Sequence, residues 1–419
     1  MASTHREPIV IIGGGLASAS AARGLREAGS DGDVVLVTAE PHHPYERPPL
    51  TKDYLRRDAD RSSAFTTGEG WYEEHAVDVR LGTTVVGLDV ADRRLTFADG
   101  GTLRYDKLLL ATGSAARPLA VPGSDLLGVH TLRTIESSDL LHESLLTAKR
   151  KGAGRLVVIG DGWIGLEAAA SARTMGLDVT VLGRGAAPLV KVLGPEIGGW
   201  YGDVHRANGV ELRTEVQVRS IVGADQRVTG VELADGSIVD ADVVVAGIGA
   251  VPNAGLAAAA GLELRDASLG GGVVVDGRLE TSAPGVFAAG DIASIPSPHF
   301  GRPIRVEHWA TALKTGPHAA AAMLGADDAY DKLPYFFSDQ FDTGMEYTGF
   351  VDGARGSDRV VISGDQAAQS FVAFWLSAGR VQAGMAVNLW DRIDRIEELI
   401  RSRRVFDDDA AELRDFADA

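Results

Sequence analysis

The segment Ile159-Gly160-Asp161-Gly162-Trp163-Ile164-Gly165-Leu166-Glu167 constrains this chain more than any other. The apolar run Leu156-Val157-Val158-Ile159 before it reads as a buried strand, and Leu166 to Met175 after it reads as a helix. Strand, G-x-G-x-x-G turn and helix together make a dinucleotide-binding unit. The glycines let the backbone turn tightly and approach a pyrophosphate, which then sits on the positive end of the helix. One such motif alone is weak evidence, but a near-copy stands at the N-terminus. Ile9 to Ile12 reads as a buried parallel strand, Gly13-Gly14-Gly15-Leu16-Ala17-Ser18 as a turn, Ala17 to Ala28 as a small-residue helix and Val34 to Val37 as a second strand. Serine replaces the third glycine. Glu40, slightly late after the second strand, is suited to bond a ribose hydroxyl. The chain is read as holding two nucleotides side by side; the plainer reading is a glycine-rich turn without a ligand.

The repeat extends further. Thr83 to Tyr105 alternates apolar and polar residues around Ala98-Asp99-Gly100-Gly101, which predicts β-hairpins, and leads into Lys107-Leu108-Leu109-Leu110-Ala111-Thr112-Gly113. After the second turn, Val231 to Ser237 carries another Ala-Asp-Gly, followed by the strand Asp242 to Gly249. Pro44 to Lys52 is predicted to be irregular, because Pro44, Pro48 and Pro49 fix the backbone and remove donors. Such a segment can hold Lys52 in a defined place, although an ordinary surface lysine is the commoner case. Helical character is expected from Thr311 to Leu324, strands at Arg359 to Ile362 and Ser370 to Leu376, and an arginine-rich amphipathic helix from Asp391 to Arg404. The acidic tail beyond it is expected to fray.

Composition excludes several classes. A net charge of −17 over 419 residues argues against nucleic acid and anionic membrane as partners. No apolar run reaches the ~18 residues of a membrane helix, and the short polar stretch Met1 to Pro8 shows no signal peptide. The sequence contains 0 cysteines, so neither a disulfide nor a thiolate nucleophile can form within the chain. A cytoplasmic protein without a metal site is expected.

Taken together, these pieces resemble the flavoprotein ferredoxin–NAD(P) reductases of the glutathione-reductase fold, the family of putidaredoxin reductase, rubredoxin reductase and dioxygenase reductase components. The matching residues are the two turns, Arg47-Pro48-Pro49-Leu50-Thr51-Lys52, Leu110-Ala111-Thr112-Gly113, Ala246-Gly247-Ile248-Gly249, Ala289-Gly290-Asp291, Glu307-His308-Trp309 and Tyr335-Phe336-Phe337-Ser338-Asp339-Gln340, in the family's order. The implied architecture is α/β, with two Rossmann-like domains and a C-terminal α+β domain. Residues 1–116 and 249–328 would bind FAD, 117–248 NAD(P), and 329–419 form the third domain.

The resemblance implies that Gly13, Gly15 and Ala17 face the FAD pyrophosphate, Ala39 and Glu40 the adenine ribose, and Val85 the adenine. Lys52 and Arg133 match positions near the flavin, Asp291 the aspartate that accepts from the ribityl chain, and Trp309 a position at the pyrimidine edge. Arg47, Ala111, Thr112, Gly113, Gly290 and Phe337 complete the FAD set. Gly160, Gly162, Ile164, Gly165, Glu167, Arg184 and Gly247 are the nicotinamide-nucleotide set. Lys52 and Glu167 are expected to pair beside the flavin N5 as the catalytic residues, although Glu167 alone also suits an exposed first helical turn. The implied reaction is hydride transfer from NAD(P)H to FAD, then single-electron transfer to a ferredoxin serving a P450 or oxygenase. Disulfide reductases of this fold need a dithiol that this chain lacks.

Two departures stand out. Gly183-Arg184 ends the strand Val179 to Leu182 where NAD-preferring relatives carry an acidic residue, which relaxes selection against a 2′-phosphate and leaves NADH and NADPH both open. Phe337 stands where relatives often carry tryptophan. Ferredoxin docking would need a local basic patch, for which Arg392, Arg395, Arg401, Arg403 and Arg404, with Arg302, Arg305 and Lys314, are candidates. The ordinary reading of that helix is a charged face with internal partners such as Glu397 with Arg401. Competing functions are reduction of a small organic radical, as by monodehydroascorbate reductases, and pyridine-nucleotide sensing, as in apoptosis-inducing factor. A monomer or weak dimer is expected.

Overall fold

The computed structural model describes residues 7–68, 70–152, 154–351, 357–407 and 409–418. Packing divides the chain into two compact units, one of residues 1–47, 62–115 and 251–334, the other of 48–61, 116–250 and 335–419.

The first unit is built on a five-stranded parallel sheet in the order Val286–Ala288, Lys107–Leu110, Ile9–Ile12, Val34–Val37, Val77–Arg80. Every residue of Ile9–Ile12 and Val34–Val37 is buried, because parallel strands are covered on both faces and need no polar alternation. The helix Leu16–Glu27 packs on the helix Trp309–Met323 through small residues. A Cβ added to Gly316 would come 2.5 Å from the Ala17 carbonyl oxygen, so the two backbones nearly touch. The hairpins expected around Ala98–Gly101 form the antiparallel sheet Val85–Asp89, Arg94–Phe97, Thr102–Arg104.

The second unit repeats the plan. Its parallel sheet runs Glu211–Arg213, Asp178–Leu182, Arg155–Ile159, Val243–Ala246, Val129–His130, and its small antiparallel sheet comprises Val218–Ala224, Arg227–Leu233 and Ile238–Asp240. To this is added a five-stranded antiparallel sheet, Tyr335–Gln340, Thr343–Gly349, Arg380–Val387, Ser370–Ser377, Arg359–Asp365. The strand Ser370–Ser377 is buried on both faces. The Trp375 indole donates to the Leu193 carbonyl at 3.0 Å, while Phe374 on the opposite face meets the Phe416 ring edge-on at 5.0 Å.

Two expectations are corrected. The Pro44–Lys52 segment contains a 3₁₀ turn, Pro48–Thr51, because prolines at its start sit where no N–H donor is needed. The C-terminal tail is docked rather than frayed: Leu413, Phe416 and Ala417 are buried, and the Ser363 hydroxyl bonds both the Arg414 carbonyl and the Ala417 N–H at 2.7 Å. Acidic composition hid the apolar face that pins this segment.

Candidate functional site

In the first unit the chain leaves Ile9–Ile12 through Gly13, whose φ of +139° suits glycine. A Cβ there would stand 2.1 Å from the Ala111 carbonyl oxygen, so the Ala111–Gly113 segment closes directly on the turn. Gly15 caps the helix Leu16–Glu27 without a side-chain hydrogen bond, no acidic residue lies in the first turn, and nothing would lie within 4 Å of a Cβ on Gly15. The helix Ile135–Lys151 differs, because Thr134 and Ser137 form a capping box there. The helix after Gly15 thus begins with unclaimed N–H groups facing open space, which suits an anion. Ser18, in the third glycine's place, is fully buried with its hydroxyl lacking a partner among the described residues.

Around this turn, Ala39 is exposed and Glu40 is bound by Arg47 at 2.6 Å and by the Tyr45 hydroxyl. Val85 opens the small sheet, paired with Phe97. Thr112 and Asn253 exchange bonds, with Thr112 Oγ1 donating to the Asn253 carbonyl at 3.0 Å and Asn253 Nδ2 returning one at 2.9 Å. Gly290, at φ +73°, lies against Ala17, and its N–H is held by Thr315 at 2.9 Å. Asp291 is buried and accepts from Ser114 at 2.7 Å, while its carbonyl accepts from Arg305 at 2.9 Å. Trp309 starts the helix Trp309–Met323 and counters the rise that burial imposes on the Glu46 pKa. Next to it, burial pushes the half-buried His308 imidazole down to about 4.

The second unit repeats the turn. Gly160, at φ +110°, lies so close to Gly247 that a Cβ would meet the Gly247 carbonyl oxygen at 2.3 Å. One on Gly165 would meet the Gly160 carbonyl oxygen at 2.1 Å, so all three glycines interlock. Gly162 caps the helix Trp163–Thr174 without a side-chain bond and, like Gly15, looks into open space. Ile164 at its first turn is 45% exposed, and Arg184 is exposed past the strand Asp178–Leu182.

Lys52 is positioned by the same helix. Its segment is clamped by Ser171, whose hydroxyl donates to the Thr51 carbonyl at 2.6 Å, and by Ser138, which donates to the Leu50 carbonyl at 2.9 Å. Lys52 Nζ then lies 2.8 Å from Glu167 Oε1, with side chains 12% and 5% exposed. Ser338 donates to the same oxygen at 2.6 Å and Thr51 to Oε2 at 2.5 Å. The ammonium stands 5.7 Å from the Phe337 ring centroid. Gln340 donates to Ser338 at 3.0 Å and accepts from His205 Nε2 at 2.8 Å, and burial holds that histidine's pKa down, so it is neutral. Glu167 is therefore buried, not the exposed first-turn residue of the plainer reading. Arg133 precedes the helix Ile135–Lys151, its N–H donating to Ser137 Oγ at 3.0 Å.

Sequence reasoning missed the supports of Glu167 (Thr51, Ser338, Gln340, His205), as well as Ser114. Ser338 and Gln340 carried a signal, since period-two spacing puts them on one strand face with Phe336, the face that is buried. His205 carried none.

Two dinucleotide turns, each followed by a three-stranded antiparallel sheet and a strand ending in glycine, define an α/β protein built for two nucleotides. The family model described as pyridine nucleotide-disulphide oxidoreductase matches residues 7–316, and that described as reductase C-terminal matches residues 335–418. The chain belongs to the pyridine nucleotide-disulphide oxidoreductases and is an oxidoreductase. It is 37% identical over 380 residues to rhodocoxin reductase of Rhodococcus erythropolis, which covers 91% of this chain and 86% of the relative. The crystal structure of the ferredoxin reductase for the CYP199A2 system from Rhodopseudomonas palustris matches with a TM-score of 0.90 at 35% identity, covering 98% of each chain. Putidaredoxin reductase, in its covalent complex with putidaredoxin, matches with a TM-score of 0.90 at 34% identity, covering 98% of this chain and 96% of that one. No helix among the described residues is long and apolar enough to cross a membrane.

Proposed function

We propose that the protein is an FAD-dependent reductase that passes electrons from NAD(P)H to a ferredoxin, one that serves a P450 or an oxygenase. Gly13, Gly15 and Ala17 hold the FAD pyrophosphate, with Ala39, Glu40, Arg47, Val85, Ala111, Thr112, Gly113, Gly290, Asp291 and Trp309 along the rest of the cofactor. Gly160, Gly162, Ile164, Gly165, Arg184 and Gly247 hold the nicotinamide nucleotide. The cradles fit these groups: each opposes an uncapped helix start to open space, as a pyrophosphate requires. FAD, when bound, accepts a hydride from the nicotinamide and releases electrons singly. The domain division is 1–116 with 249–328 for FAD, 117–248 for NAD(P), and 329–419.

The observation that carries this reading is a buried, charge-paired Lys52 in a chain with 0 cysteines. Lys52 keeps a positive charge for the flavin N5 region, beside Phe337, because Glu167 offsets the cost of burying it; Arg133 is read as a further residue near the flavin. Electrons leave without a dithiol relay, which suits a one-electron acceptor. The likeness to rhodocoxin reductase and putidaredoxin reductase supports the ferredoxin, and the chain's lack of cysteine supports the cytoplasm. A second reading, a small organic acceptor, draws on the arginine-rich helix, where Arg401 pairs with Glu397 at 3.6 Å, Arg404 with Glu412, and Arg395 covers Phe416. Those cations are already engaged and offer less to an acidic partner.

The test is reduction of cytochrome c by the purified, FAD-loaded protein with NADH or NADPH, with and without added ferredoxins. Ferredoxin-dependent stimulation is expected. Protein that cannot be loaded with FAD sinks the flavoenzyme reading, and turnover with a small quinone or ascorbyl radical but with none of the ferredoxins favours the second.

A further inference from the structure

The residue after Gly160 resolves what Gly183 left open. Gly183 follows the strand Asp178–Leu182, where a strand-end carboxylate is missing. The space above it is nonetheless filled. A Cβ built on Gly183 would stand 2.2 Å from Asp161 Oδ2, 2.8 Å from its Cγ and 3.2 Å from its Cβ. Asp161 therefore reaches from the glycine turn and lays its carboxylate where a side chain at position 183 would begin. Its own backbone is anchored, with the carbonyl accepting from the Leu189 N–H at 3.0 Å.

This carboxylate is incompletely satisfied. Asp161 Oδ2 is sealed from solvent and has no hydrogen-bond partner among the described residues. An orphaned buried acceptor is costly, more so for a charged group, and calls for a reason. Desolvation raises the Asp161 pKa; its own backbone N–H and the exposed Lys191 oppose that rise. Beside it lies Gly162, where the helix start meets open space. A carboxylate and a set of free N–H groups thus adjoin, which is the pairing that a ribose hydroxyl and a pyrophosphate require.

We infer that Asp161 replaces the strand-end acidic residue as acceptor for the adenine-ribose hydroxyls, and that the protein consequently selects NADH over NADPH. The inference rests on the nicotinamide reading of this turn proposed above. A 2′-hydroxyl donates to this carboxylate, which is only partly buried. A 2′-phosphate carries about −1.5 to −2 charges at neutral pH and is repelled by the carboxylate. Arg184 pulls the other way, but it is exposed and acts through water. The sequence signal from Gly183-Arg184 is therefore outweighed by the residue immediately before the glycine that caps the helix.

The test is calorimetric binding of ADP-ribose and 2′-phospho-ADP-ribose to the full chain, which needs no turnover. The wild type is expected to favour ADP-ribose by about tenfold or more. Asp161→Asn keeps the shape without the charge and is expected to narrow the ratio to about threefold or less, with unchanged or higher thermal stability. Asp161→Ser serves if the amide variant does not fold. The double variant Asp161→Gly/Gly183→Glu moves the carboxylate to the strand end and is expected to restore the preference. Wild-type preference for the 2′-phosphate, or an unchanged ratio in Asp161→Asn while both fragments still bind, overturns the inference alone. Failure of the wild type to bind either fragment at millimolar concentration overturns the nicotinamide reading and this inference together.

Discussion

Lys52 and Glu167 offer a double-mutant cycle whose size follows from their surroundings. At 2.8 Å and an effective dielectric of about 20, their attraction is about 6 kcal/mol, most of which is offset by taking both charges out of water. Removing one partner strands the other, at about 3–5 kcal/mol for a buried pair. The two ends are not equivalent. Lys52→Met leaves the carboxylate with the Thr51 and Ser338 hydroxyls, but also with the like charge of Asp339, whose pKa is raised by burial, lowered by Lys52 and raised by Glu167. Its cost is set at about 4 kcal/mol. Glu167→Gln lets Lys52 turn to Asp339 as counter-charge, so about 2 kcal/mol is expected. The double variant buries neither charge and is expected to lose about 3 kcal/mol, well short of the sum. Urea unfolding at pH 7.5, followed by circular dichroism, reads all four proteins, and a coupling of about 3 kcal/mol is expected. A cycle additive within about 0.5 kcal/mol refutes the argument that the pair shares one buried charge balance. In the loaded enzyme, Lys52→Met is also expected to slow flavin reduction in stopped flow, and an unchanged rate removes Lys52 from the mechanism.

Gly13→Ala forces a Cβ to 2.1 Å from the Ala111 oxygen at a φ of +139°; it is expected to purify with about a tenth or less of the wild-type flavin, and full flavin occupancy would count against the cradle. Ser114→Ala removes the donor that holds Asp291 at 2.7 Å, costing about 1–3 kcal/mol in urea unfolding and weakening FAD retention; equal stability and retention would release Asp291 from this role. His308 is pushed down from 6.5 to about 4 by burial, so the unfolded chain binds a proton that the folded one refuses, and stability falls as pH drops from about 6.5 towards 4. Because the residue keeps some exposure, the loss is put at about 2 kcal/mol; His308→Gln is expected to flatten this part of the urea-midpoint profile, and an unchanged slope refutes the assignment.

Much of this protein is legible in local sequence. Ile9–Ile12 and Arg155–Ile159 announce themselves as buried strands, and the glycines after them mark turns whose geometry only glycine meets at Gly13 and Gly160. The Ala98–Gly101 turn announces its hairpin because alternation on both sides has a period of two. The docked tail was not legible, since its apolar residues Leu413, Phe416 and Ala417 are scattered among charges and gain meaning only against Ser363 and Phe374.

The sequence by itself determined the two glycine turns, their order and the absence of cysteine chemistry, because each depends only on residue identity or on neighbours within a few positions. Tertiary structure alone decided how Glu167 is held, since its partners Thr51 and Ser338 lie 116 and 171 residues away and meet only when the helix Trp163–Thr174 packs. It also decided where the carboxylate at the second turn lies. In one dimension Gly183 reads as a lost acid; in three, Asp161 occupies the same space, because a glycine without a Cβ leaves room for a neighbour's side chain.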